Sequence, residues 1–277
     1  MSGQELERST QDQDGEKLRL GGMALGNGLL VHGPTHWAAA IRRPDGELRS
    51  ASGRKPRVRR LDGVPGARGV LRLAEALAVI PLVKRALPEA QLPFGSPRVL
   101  ATMGGAAAAA AVARRIGHGA TGEAAASLLS FAPALLALRG GEVAAYHGVE
   151  HKSIAAYEQG SSDAAAAAKE HDRCGSHLVA PLLLCNIGAA ALLGRVVERS
   201  SPAARAATSL VAVGAAVEIF AWTQRHHSSM LARVLRRPGN DIQRLVGTRE
   251  PNASQLAVGQ AALAEILRAE GVSPATS

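Results

Sequence analysis

Five apolar stretches constrain what this chain can fold into: Val70 to Leu87, Val99 to Ala113, Ala124 to Leu138, Leu178 to Val197 and Ala206 to Trp222. They are built from Ala, Leu and Val, and aromatic residues are only 3% of the chain. Small side chains of this kind suit closely packed helices better than a β-rich core. A helix crossing a bilayer needs about 20 apolar residues, and several of these stretches are shorter. Pro81, Pro133 and Pro181 interrupt three of them. HLVAPLLLCNIGAAALLGRVV is the strongest span, with no charge from Leu178 to Gly194. Arg114 and Arg115, Arg195 and Arg199, and Arg233 to Arg237 lie between or after the stretches, as interfacial residues would. Composition alone leaves buried helices of a soluble protein and short membrane helices both open.

What flanks these stretches sets the domain plan. Residues 1–20, MSGQELERSTQDQDGEKLRL, lack the apolar core of a secretory signal and read as a disordered polar tail. Residues 21–69 alternate Gly and small apolar residues and then place two short runs around Pro44-Asp45-Gly46. Pro fixes φ and Gly supplies a positive one, so this reads as a turn within a small β lobe. Between Arg42 and Arg72 ten basic residues face three acidic ones, which accounts for most of the net charge of +9. Beside apolar helices such a segment is either an anchor against anionic lipid or a solvated basic linker. Nucleic acid is the less favoured anionic partner, because few aromatics are available to stack on bases. Residues 226–277 form a basic C-terminal region in which 254–270 carry the apolar stripe of an amphipathic helix, stopped by Gly271.

The chemistry is concentrated between residues 146 and 177, inside the predicted helix bundle of residues 70–225. In YHGVEHKSIAAYE, His147, Glu150 and His151 stand at i, i+3 and i+4, so a helix projects all three from one face. Two imidazoles one turn apart suit a divalent metal, and Glu150 sits where it could act as general base on water. HDRCGSH follows, with His171 and Cys174 at i, i+3. Added to His147 and His151 they would complete an N₃S set of the kind structural zinc prefers, whereas a catalytic ion keeps one position open. Glu218 is a further candidate ligand, a lone carboxylate in the apolar run VAVGAAVEIFAW. A salt bridge with a neighbouring helix or an exposed helix face would equally explain it. Cys174 and Cys185 do not make a disulfide framework.

These residues resemble the YqhQ-like family of bacterial membrane proteins, a family of unknown function described as predicted metal-dependent enzymes. The resemblance runs from about Gly21 to Leu267. It is carried by GGMALGNGLLVHGP, RRPDGEL, YHGVEHKSIAAYE, HDRCGS, Glu218 in its apolar helix and TREPNASQLAV. Asn27 and His32 depart from it, standing where the family has Glu and Arg. The resemblance implies a multi-pass protein of the cell membrane with a small cytoplasmic N-terminal lobe. It also implies metal ligation by His147, His151, His171 and Cys174, with Glu150 and Glu218 as acidic partners.

The expected fold is therefore mainly α, a polytopic membrane bundle of four or five apolar helices with a small β lobe and a C-terminal amphipathic helix. The expected function is metal-dependent, with zinc the leading ion, Glu150 the catalytic base, and a peptide or lipid-linked substrate. The alternatives are a membrane scaffold with a structural metal and a soluble basic protein that binds nucleic acid through Arg54 to Arg60.

Overall fold

The computed structural model describes residues 17–57, 67–117, 120–139, 141–197 and 201–272. Most of the expected polar tail lies outside them, as do Arg59, Arg60, Asp62, His118 and Arg199.

The N-terminal lobe is an antiparallel meander of β1 (Gly21–Ala24), β2 (Gly28–His32), β3 (His36–Arg42) and β4 (Leu48–Arg54), paired in sequence order. The β3–β4 turn forms at Pro44-Asp45-Gly46, where Gly46 has φ 88° and its N–H donates to the Arg43 carbonyl at 2.9 Å. Successive strand residues point to opposite faces, and here both faces are covered. Leu29, Val31, Ala38 and Ala40 pack against Tyr146, Val149, Val258, Ala262 and Ile266. Leu30, Ala39 and Ile41 pack against Val79, Val83 and Leu87. Each Val, Leu or Ile buried this way contributes about 1.5–3 kcal/mol.

The first apolar stretch is consequently not a span. It forms α1 (Ala67–Ala78) and α2 (Ile80–Ala86), divided where Pro81 enters the first turn of α2, and α2 covers one face of the sheet. The other face takes α6 (Glu142–Gln159) and α10 (Ala253–Glu270). The helix expected at 254–270 is thus α10; its N-terminus is closed by a reciprocal pair between Asn252 and Gln255.

The remaining apolar stretches supply α3 (Pro97–Ile116), α4 (Ala120–Ser130), α5 (Ala132–Leu138), α7 (Val179–Val196) and α8 (Pro202–Arg225). Among the described residues they make four helical segments long and apolar enough to cross a membrane: Pro97–Ile116, Thr121–Leu138, Gly175–Val196 and Ala203–Arg225. Only 11–28% of these segments is buried within the protein, so their apolar surface faces outward, as a helix facing lipid does. The fold is a helical membrane bundle with a four-stranded N-terminal sheet. After α8 the chain forms α9 (Met230–Ile242) and a single wide π turn, Gln243–Gly247, before returning to the lobe as α10.

The lobe sits at one end of the bundle. The first turn of α3 and the last of α5 meet Gly26 and Gln91 of the lobe around one cavity. At the same level the Gln224 side chain, near the end of α8, donates to the Asp172 carbonyl at 2.9 Å. The segment between α6 and α7 is therefore held where the spans meet the lobe.

Candidate metal centre

Helix α6 brings His147 and His151 together by its own geometry, with ring centroids 4.4 Å apart. Tertiary contacts then decide which nitrogen of each ring is free. His147 Nδ1 lies 2.7 Å from the Gly247 carbonyl. A carbonyl only accepts, so Nδ1 carries a proton and Nε2 is the nitrogen left for a ligand. The π turn puts that carbonyl in place: the Thr248 N–H reaches back to the Gln243 carbonyl at 2.9 Å, widening the last turn after α9. His151 is fixed the same way, with Nδ1 donating to the Lys169 carbonyl at 2.5 Å. Its Nε2 is buried and has no hydrogen-bond partner among the described residues.

The third donor arrives from the loop. Cys174 precedes a short 3₁₀ turn, Gly175–Leu178, and its Sγ lies 3.3 Å from His147 Nε2. Donor atoms of His147, His151 and Cys174 all lie within 4.8 Å of one another. A tetrahedral ion with bonds of about 2.0–2.3 Å holds its ligands roughly 3.3–3.7 Å apart, so a small closure of side chains would bring all three donors onto one ion. Two imidazoles oriented by carbonyls at Nδ1, with the opposite nitrogens turned on a thiol, are the arrangement in which metal ligands are normally held.

The electrostatics agree with that arrangement. Burial, with help from the neighbouring His147, lowers His151 to about 3. The ring is therefore neutral and available as a ligand at physiological pH. Burial pushes the Cys174 thiol above its usual range; a cation beside it would reverse the effect and favour the thiolate. Burial also raises Glu150, to about 7, with Cys174 adding to the rise and His147 and the Gly22 N–H opposing it. The Glu150 side chain lies against β1, where a Cβ on Gly22 would come within 2.8 Å of its Cγ. The glycine of the GGMA strand thus leaves room for the carboxylate.

Of the residues singled out in the sequence, His147, His151 and Cys174 converge, and Glu150 lines the same space. His171 is near but engaged: Nδ1 accepts from the Arg173 N–H at 3.2 Å, Nε2 faces Glu158 at 3.3 Å, and its ring centroid is 5.7 Å from that of His151. Glu218 lies on α8 and is not one of the three converging donors.

Sequence reasoning passes over the residues that hold the loop. Gln243 is fully buried. Its side chain accepts from the His171 N–H at 2.8 Å and donates to Ser176 Oγ at 2.9 Å, the His171 carbonyl at 3.2 Å and His177 Nε2 at 3.2 Å. Lys152, next to His151 in sequence, is 4% exposed; it donates to the carbonyls of Ala165 and Ala167 and pairs with Glu250. Nothing in the local pattern marks either residue, because their partners come from distant parts of the chain.

Residues 141–269 match a family described as a protein of unknown function, DUF1385. The DUF1385 segment starts at the base of α6 and ends in α10, so it contains all three converging donors, Glu150, Glu218 and Gln243. The sheet and the first two spans lie outside it. No curated protein and no solved structure matches the chain.

Proposed function

We propose that this protein is a multi-pass enzyme of the cell membrane, of the YqhQ-like bacterial type, with one divalent metal site. In this reading His147 Nε2, His151 Nε2 and Cys174 Sγ hold the ion, zinc by the chemistry of an N₂S donor set. The observation that carries it is the buried, unpartnered Nε2 of His151 turned toward two further donors. A buried polar atom left without a partner is costly, and a bound cation removes that cost.

Three protein ligands leave a fourth position for water or substrate, and Glu150 lines the space beside them, which favours hydrolysis. A bound zinc ion would supply Lewis acidity toward a carbonyl or phosphoryl oxygen and lower the pKa of water. Glu150 would take a proton from water in one step and return it to the leaving group in the next. The Gly22 N–H helps hold its carboxylate in place. His171, held by Glu158 and Gln243, positions the loop carrying Cys174. The substrate is a peptide or a lipid-linked molecule that meets the site at the lobe end of the bundle. The basic residues of that lobe support a cytoplasmic position for it, against anionic lipid.

A structural metal is the second reading. It is favoured by how the donors are anchored, since they join α6, the α6–α7 loop and the π turn into one knot. Metal analysis of the protein purified in detergent without chelators, beside His151→Ala, tests both. One equivalent in the wild type and none in the variant is expected; a metal-free wild type would remove both readings.

A further inference from the structure

Helix α9 has an outer face that no described residue of the lobe or the bundle covers. Met230, Leu231 and Val234 are 76%, 57% and 57% exposed, and Leu245 in the following π turn is 78% exposed. On a helix Met230, Leu231, Val234 and Pro238 form one stripe. Exposed Arg233 and Arg237 line one edge of it, and exposed Arg244 lies beside Leu245. Exposed Asp241, seven residues after Val234 and three after Pro238, falls on the same face at the C-terminal end of the helix. The opposite face, Ala232, Arg236 and Gly239, is buried. α9 also follows directly on a span, since α8 ends at Arg225 and α9 starts at Met230.

We infer that α9 is an in-plane membrane helix, seated on anionic lipid with Met230, Leu231, Val234 and Leu245 in the acyl boundary. An apolar stripe edged with arginines is what an interfacial helix presents to such a surface, and both α8 before it and α7 beside it are segments fit to cross the same bilayer. The helix has a second task on its inner face. The Arg236 carbonyl accepts from His177 Nδ1 at 3.0 Å, and the Arg236 side chain pairs with Asp172. The π turn that closes α9 supplies Gln243 to the loop and the Gly247 carbonyl to His147. Seating α9 on lipid therefore holds the candidate metal centre at headgroup depth, so its substrate carries its reactive group at the membrane surface. The inference rests on the membrane placement of the bundle, not on the identity of the metal.

The test places single tryptophans in the full-length protein, reconstituted in nanodiscs of phosphatidylglycerol and phosphatidylcholine with brominated acyl chains. The signal of the native Trp37 and Trp222 is subtracted. Val234→Trp and Leu231→Trp should lose fluorescence as Leu192→Trp does on exposed span α7, while Leu48→Trp on the lobe should not. Quenching at Leu192→Trp with none at Val234→Trp would overturn the inference and leave the bundle in the membrane. No quenching at Leu192→Trp would overturn both. Adding Arg233→Glu, Arg237→Glu and Arg244→Glu should reduce quenching at Val234→Trp and leave Leu192→Trp unchanged. Equal quenching with and without these charges would overturn the role given to anionic lipid.

Discussion

Cys174 Sγ lies 3.3 Å from Nε2 of His147, although 27 positions separate the two residues. Cys185, the other cysteine, is on span α7 and is not one of the converging donors. Cobalt substitution should therefore give a sulfur-to-metal charge-transfer band in the near ultraviolet for the wild type and for Cys185→Ser, and none for Cys174→Ser. A band that survives in Cys174→Ser would exclude Cys174 as a ligand.

Glu150 shares the space of the three donors without being counted among them. Glu150→Gln should keep its metal and lower any hydrolysis of peptide or lipid-linked substrates by about 10²–10⁴-fold, the usual worth of a general base. Loss of metal along with activity would instead make Glu150 a ligand.

Gln243 satisfies both backbone groups of His171 as well as Ser176 and His177. Gln243→Ala leaves these groups buried and unpaired, at about 1–3 kcal/mol for each one that water cannot reach. The thermal midpoint in detergent should fall, and metal retention with it, because Cys174 rides on the same segment. An unchanged midpoint with full metal content would mean that the loop is held by other contacts.

His32 is lowered from 6.5 to about 4 by burial and then by Lys55, and its Nδ1 is buried without a partner. As pH falls, the unfolded chain takes up the proton first. The associated stability is complete above about pH 6.5, is lost between about 6.5 and 4, and amounts to about 3 kcal/mol at about 1.4 kcal/mol per unit. His151 contributes a slope of the same sign, so the comparison must be with His32→Gln. The variant should have the shallower decline in thermal midpoint between pH 7 and 5; equal declines would clear His32 of the effect.

Local pattern determined much of this protein. The Pro44-Asp45-Gly46 turn, the stripe that became α10, the uncharged run of α7 and the shared face of His147 and His151 are all consequences of φ preference or of helical and strand periodicity. These depend on residues a few positions apart. Tertiary structure decided the rest. Val70 to Leu87 is apolar enough to look like a span, yet Pro81 divides it and α2 is buried against the sheet. Residues 226–277 read as a basic C-terminal region, yet α9 within it turns its small residues inward and its larger apolar ones out. Which donors meet was decided by the path of the α6–α7 loop, and that path is held by Gln243, about 70 residues beyond it. A residue's spacing gives the direction in which its side chain leaves the helix. Which nitrogen stays bare, and which sulfur it faces, depends on carbonyls that only the folded chain brings within reach.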